Sequence, residues 1–160
     1  MTLALALFLL LVVANGSPVL AQRLLQERWS ASLDGGRTCR DGRRLLGADK
    51  TWRGLLSGSL GCGLAASLMG LGSIFGLFFG LMALLGDLAS SFIKRRVGLA
   101  PGARATGLDQ LPEAVLPLLL AMAWLDIGWV SLVVTALVFT ILNIVISPAL
   151  HRLGIRRRPH

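Results

Sequence analysis

The sequence predicts an all-α polytopic membrane protein with about five transmembrane helices, its N-terminus outside and its C-terminus cytoplasmic. Three observations predict it. Apolar residues make up 54% of the 160 residues and charged residues only 15%, against roughly 25% charged in a soluble domain. Residues 1–22, 54–86, 114–125 and 127–151 contain no Asp, Glu, Lys or Arg, and about 18 apolar residues suffice for a helix to span a bilayer. All 16 Lys and Arg lie outside those runs, in 23–53, 94–104 and 152–158. Five spans beginning outside place every one of them on the cytoplasmic face, as the positive-inside rule requires. That placement also argues against a nucleic-acid partner as the meaning of the net charge of +8. Basic clusters between spans suit anionic headgroups and phosphate esters instead.

The chain reads as one integral-membrane domain, 1–160. Its first span covers about 2–21 and contains Asn15-Gly16-Ser17-Pro18. Those residues predict an interruption that faces protein or a wet cavity, because freed backbone groups must be satisfied away from lipid; a simple kink is the alternative. Val19-Leu20-Ala21 mimics a signal-peptide cleavage site, but no positive n-region precedes it, so the segment is expected to be a retained span. A polar loop follows over 22–53, with turns at Asp34-Gly35-Gly36 and Asp41-Gly42. The run 54–86 would be about 50 Å long as one helix, so it should break at Gly70-Leu71-Gly72 into spans 54–70 and 72–93. Gly54 and Gly58, and Gly72, Gly76 and Gly80, have the four-residue spacing that lets helix backbones approach closely; a homodimer is compatible with it. A second cytoplasmic loop covers 94–111. Spans 112–125 and 128–148 are separated by a tight turn near Asp126-Ile127-Gly128, and a basic tail closes the chain over 151–160. Cys39 in a basic loop and Cys62 in an apolar run suggest neither a disulfide nor a zinc site.

An ionisable residue in or beside a span is a functional candidate, and two carboxylates qualify. Asp126 falls in the short outer turn and reads as solvated. Asp87 lies inside the Lys94-Arg95-Arg96 cluster, and Asp87, Ser91, Lys94 and Arg95 stand at i, i+4, i+7 and i+8, within about 100° of one another on a helix. A carboxylate, a hydroxyl and two cations so stacked can receive a metal-bound polyphosphate: Mg2+ takes hard oxygen ligands and shares them with substrate phosphates. The alternative is a helix end with snorkelling cations and an Asp87–Lys94 ion pair. In Asp109-Gln110-Leu111-Pro112-Glu113, two carboxylates at a membrane boundary can bind a cation. Pro112 at a helix start and Glu113 in its first turn also suit a capping role for Asp109.

These residues carry a family resemblance. Ala14-Asn15-Gly16-Ser17-Pro18-Val19, Asp34-Gly35-Gly36, Lys50-Thr51-Trp52-Arg53-Gly54, Gly86-Asp87, Ser91-Phe92-Ile93-Lys94-Arg95-Arg96, Gly98, Gly102 and Asp109-Gln110 together resemble the CDP-archaeol synthase family. That family is distantly similar to phosphatidate cytidylyltransferases. The resemblance implies a Mg2+-dependent enzyme facing the cytoplasm that joins CTP to a lipid phosphate, giving a CDP-lipid and pyrophosphate. It implies Asp87, Lys94, Arg95 and Asp109 as catalytic residues and Asp87, Asp109 and Glu113 as metal ligands. Asn15, Lys50, Thr51, Arg53, Ser91 and Gln110 would bind substrate, with Asn15 lining the cavity that the broken first helix opens. One departure stands out: the family pattern Asp-Gln-x-Asp ends here in Pro112, with Glu113 one residue later. Two other function classes compete. A transporter would place ionisable groups near the membrane midplane, whereas these carboxylates cluster at span ends. A non-catalytic lipid-binding or assembly protein would find Asp87 and Asp109 dispensable.

Overall fold

The computed structural model describes residues 2–100, 103, 105 and 107–152, with side chains through 145. Gly102, Arg104 and the tail from 153 lie outside the described residues. The described residues form five helices: α1 (Leu3–Leu25), α2 (Trp52–Leu68), α3 (Ser73–Val97), α4 (Leu111–Leu125) and α5 (Trp129–Arg152). Among the described residues there is no strand, only the isolated bridges Ser32↔Thr51 and Thr38↔Arg44. By length and apolarity α1 and α3 can each cross a membrane. Leu56, Leu60, Leu64 and Leu68 stand exposed on one stripe of α2, a surface water would penalise and lipid would not.

The helices pack in chain order, α1 on α2, α2 on α3 and α3 on α4, with α5 resting mainly on α4 and lightly on α1. Small residues make the contacts. A Cβ on Gly76 would collide with the Cys62 carbonyl and the Ala66 methyl, so α2 and α3 meet nearly backbone to backbone. Around that seam Leu7, Leu10, Leu11, Phe75, Phe79 and Leu118 fill the core.

Three expectations need correction. The first helix is not interrupted at Asn15–Pro18 but runs on to Leu25. Pro18 removes a single amide, the one that would serve the Ala14 carbonyl, and Gly58 of α2 packs against that carbonyl. The third helix continues past 93 to Val97 and carries Lys94, Arg95 and Arg96 inside its last turn, ending at Gly98 with φ 91°. Asp109 does not cap α4. The cap position is Gln110, without a side-chain cap bond; the Asp109 carboxylate instead accepts from the Ala105 amide at 3.0 Å. Helix ends elsewhere fall at the turn residues. Gly70 and Gly72 turn with φ 78° and 89°, Asp126 is exposed in the turn between α4 and α5, and Pro112 and Glu113 open α4.

Between α1 and α2 the polar loop folds on one buried carboxylate. Asp34 Oδ1 accepts from Arg44 Nη2 at 2.6 Å and from the Gly36 amide at 3.0 Å, and Oδ2 accepts from the Leu46 amide at 3.2 Å. Burial alone would raise the Asp34 pKa. The Arg44 bond, the Gly36 and Leu46 amides and the Arg44 charge overcome burial and hold it at about 2 against an ordinary 3.8. A depressed carboxyl stabilises the fold above the unfolded value, and that contribution fades as pH falls from 3.8 toward 2. Asp34→Asn should therefore lower stability by about 2 kcal/mol at neutral pH. In melting and loop-proteolysis measurements the gap to the unsubstituted protein should narrow below pH 3.8. An equal gap at every pH would contradict this account.

Candidate active site

A cavity of about 500 Å³ opens where α1 ends, α2 begins, α3 ends and α4 begins. Asn15, Lys50, Thr51, Arg53, Asp87, Ser91, Lys94, Arg95, Asp109, Gln110 and Glu113 all line it. Every residue that the family resemblance implied thus meets in one place, although the residues come from four helices and two loops; Asp126 does not line it.

α3 supplies the charged wall, because the i, i+4, i+7, i+8 spacing keeps Asp87, Ser91, Lys94 and Arg95 on one face. Asp87 and Lys94 do not pair with each other. Lys50 Nζ donates to both Asp87 oxygens at 2.7 and 2.6 Å, and Lys94 Nζ stands 2.6 Å from Asp109 Oδ1. Lys94 takes one side of this buried oxygen, whose second lone pair keeps acceptor capacity. Burial pushes the Lys50 pKa down, but Asp87, then Asp49 and Glu113, outweigh it and raise the value. Lys50 therefore stays cationic at neutral pH.

Arg95 is only 5% exposed, and its Nε and Nη1 are buried without any hydrogen-bond partner. A buried guanidinium left unpaired costs several kcal/mol, and among the described residues nothing completes these two nitrogens. Its backbone, by contrast, is well held. Arg43 Nη1 donates to the Arg96 and Arg95 carbonyls at 3.1 and 3.4 Å, a cation at the negative end of α3. Arg96 turns away from the cavity to Asp41 at 2.8 Å and the Arg44 carbonyl at 2.6 Å, stacking on Phe92. The loop organised by Asp34 thus buckles onto the turn that presents Lys94 and Arg95. These bonds also explain why α3 outruns its sequence estimate.

Several predicted substrate ligands already have structural duties. Arg53 Nη1 donates to the Gln26 and Arg28 carbonyls at 2.7 and 2.6 Å, holding the left-handed residues Gln26 and Trp29 beyond α1. The Thr51 hydroxyl caps α2 through the Gly54 amide at 3.2 Å. Asn15 Nδ2 donates back to the Leu11 carbonyl at 3.2 Å, and Gln110 Oε1 accepts from the Gly107 amide at 2.9 Å. Sequence reasoning missed Asn143, Asp49, Glu27, Gln22 and Ser30, which also line the cavity. Asn143 left a signal, a carboxamide within the uncharged run 127–151, but a scan for ionisable groups passes over it.

Among the described residues no three His, Cys, Asp or Glu converge as a ready-made metal cage. Mg2+ does not need one, since it binds through one or two carboxylates, waters and substrate phosphates. The donor set fits that pattern: Asp87, Asp109 and Glu113 share the cavity, and Asp109 Oδ1 retains acceptor capacity.

The CarS-like family model, described as CDP-archaeol synthase, matches residues 6–73 and 65–160. A CDP-archaeol synthase of Thermofilum pendens is 36% identical over 153 residues, spanning 92% of this chain and 75% of the relative. That of Sulfurisphaera tokodaii is 38% identical over 165 residues, spanning 98% of this chain and 94% of the relative. A solved structure of an intramembrane enzyme for archaeal membrane lipids biosynthesis superposes with a TM-score of 0.73 at 35% identity, covering 89% of this chain and 90% of the other. With matches running from the first helix to the last, this chain belongs to the CDP-archaeol synthase family.

Proposed function

We propose that the protein is a membrane-embedded cytidylyltransferase that converts CTP and a lipid phosphate to a CDP-lipid and pyrophosphate. The observation that carries this reading is Arg95, a guanidinium buried in the cavity with two unused donor nitrogens. Phosphate oxygens are the natural partners of such a fork. A lipid phosphate oxygen attacks the α-phosphorus of CTP, a P–O bond forms, the α–β P–O bond breaks, and pyrophosphate leaves. Arg95 and Lys94 neutralise charge on the phosphates, and Lys50 holds Asp87 in place. Bound Mg2+, held by Asp87 and Asp109 with Glu113, would add positive charge at the phosphates. The departure at Pro112 does not remove a carboxylate from the site, because Glu113 in the first turn of α4 lines the same cavity.

All five helices span the membrane in this proposal, as one domain with the cavity on the cytoplasmic side. All four tryptophans support it: Trp29 and Trp52 are exposed at the cavity end, and Trp124 and Trp129 at the opposite turn. Paired aromatic belts of this kind mark the two membrane interfaces. The names of the relatives favour an isoprenoid ether glycerol phosphate as the lipid over diacyl phosphatidate.

The test is product formation by purified protein in detergent, with Mg2+, CTP and each lipid phosphate in turn. CDP-lipid should appear with CTP, not with UTP or ATP, and should vanish on chelation of the metal. A folded protein that makes no CDP-lipid from either lipid would refute the proposal.

A further inference from the structure

We infer that Asn143 is a specificity-determining residue for the lipid substrate, its carboxamide binding the linkage oxygens of the glycerol unit beneath the phosphate. This rests on the cytidylyltransferase reading and concerns the one cavity wall that reading leaves unused. Among its described side chains α5 brings no charge to the cavity. Its contribution is Asn143, on the same cavity as Asp87. Along α5 it lies about 21 Å from Trp129, and Asp87 lies about 21 Å along α3 from Ser73, at 1.5 Å per residue. Asn143 and Asp87 thus stand equally far along their helices, and both line this cavity. Lys94 and Arg95 are about 10–12 Å nearer the cytoplasm. The cavity is therefore graded, with cations where a phosphate sits and a neutral amide deeper, at the level of the hydrocarbon.

Among the described residues the Asn143 side chain makes no hydrogen bond, whereas Asn15, which lines the same cavity, ties its amide nitrogen to Leu11. One turn deeper on α5, Thr140 Oγ1 is likewise buried without a partner. Hydroxyls and amides on membrane helices normally bond back to the helix or across to a neighbour. Asn143 itself is half-buried and faces the cavity, so its carboxamide is open to a ligand there. An amphipathic substrate whose phosphate meets Arg95 puts its glycerol oxygens at the depth of Asn143. Ether and ester oxygens are both acceptors, so the amide nitrogen of Asn143 donates to either.

The experiment compares Asn143→Leu with the unsubstituted protein in detergent, without nucleotide. Binding of three phosphates is measured by native mass spectrometry: an isoprenoid diether glycerol phosphate, diacyl phosphatidate and a long-chain alkyl phosphate lacking glycerol. Leucine matches asparagine in size, and a melting curve verifies the fold. The variant should bind glycerol lipids about tenfold more weakly, the worth of one hydrogen bond, and the alkyl phosphate unchanged; Asn143→Gln should recover part of the loss. If only the diether is weakened, the contact is to ether oxygens, and if both glycerol lipids are, it is to either linkage. Unchanged glycerol-lipid binding, or equal weakening for the alkyl phosphate, overturns the inference. Because binding is read without turnover, a protein that binds these lipids yet makes no CDP-lipid would refute the activity and leave this inference standing.

Discussion

Arg95→Met should lose CDP-lipid formation by about a hundredfold or more and yet melt no lower than the unsubstituted protein. The two halves have one cause. Arg95 is 5% exposed, with Nε and Nη1 unsatisfied, so its charge opposes folding, and in the proposed function a phosphate completes it. Methionine keeps much of the length and apolar packing while removing the unpaired donors, and replacing buried charge by a fitting apolar side chain is often neutral or stabilising. A purely structural arginine would behave in the opposite way, with stability falling and activity following it down. The two accounts separate on one protein preparation, by a melting curve and a product assay. Preserved activity in the variant would remove the observation on which the proposed function rests.

Gly86→Ala should be the most damaging single-methyl change in the chain. A Cβ there would overlap the Pro112 carbonyl and lie 2.7 Å from the Glu113 Cα. Both obstacles are backbone, so neither can rotate away. Overpacking of this kind costs about 1–3 kcal/mol or more, and relief requires α4 to withdraw from α3. Withdrawal would carry Glu113 and the neighbouring Asp109 away from Asp87 and Lys94. The variant should therefore show both a lowered melting temperature and a loss of activity greater than its stability loss explains. Gly16→Ala is the matched control, since a Cβ at Gly16 meets nothing within 4 Å. If Gly86→Ala melts and turns over as Gly16→Ala does, the close approach of α3 and α4 is not as tight as described.

Much of the charged wall was legible in the sequence because it lies on one helix. Asp87, Ser91, Lys94 and Arg95 share a face by spacing alone, and the cavity confirms that face. The turn at Gly70–Gly72 was equally legible, since a 33-residue apolar run exceeds the membrane thickness. What spacing could not supply was partners. The sequence offered Asp87 and Lys94 to each other; the fold gave Asp87 to Lys50 and Lys94 to Asp109, residues 37 and 15 positions away. Nor could it show that Arg53 and Thr51 are engaged in holding helix ends, or that Asp109 serves its own loop rather than capping α4.

By itself the sequence determined the all-helical character, the breaks between apolar runs, and which side chains are candidates to carry chemistry. These depend on local quantities: the length of uncharged segments, the 3.6-residue period, the glycines that turn. The tertiary structure alone decided which charges neutralise each other, which arginine is left unpaired, and that α5 adds Asn143 to the cavity. Those outcomes depend on which helices become neighbours and at what depth. Ion pairing and desolvation act over a few ångströms in space, and distance along the chain does not set distance in space.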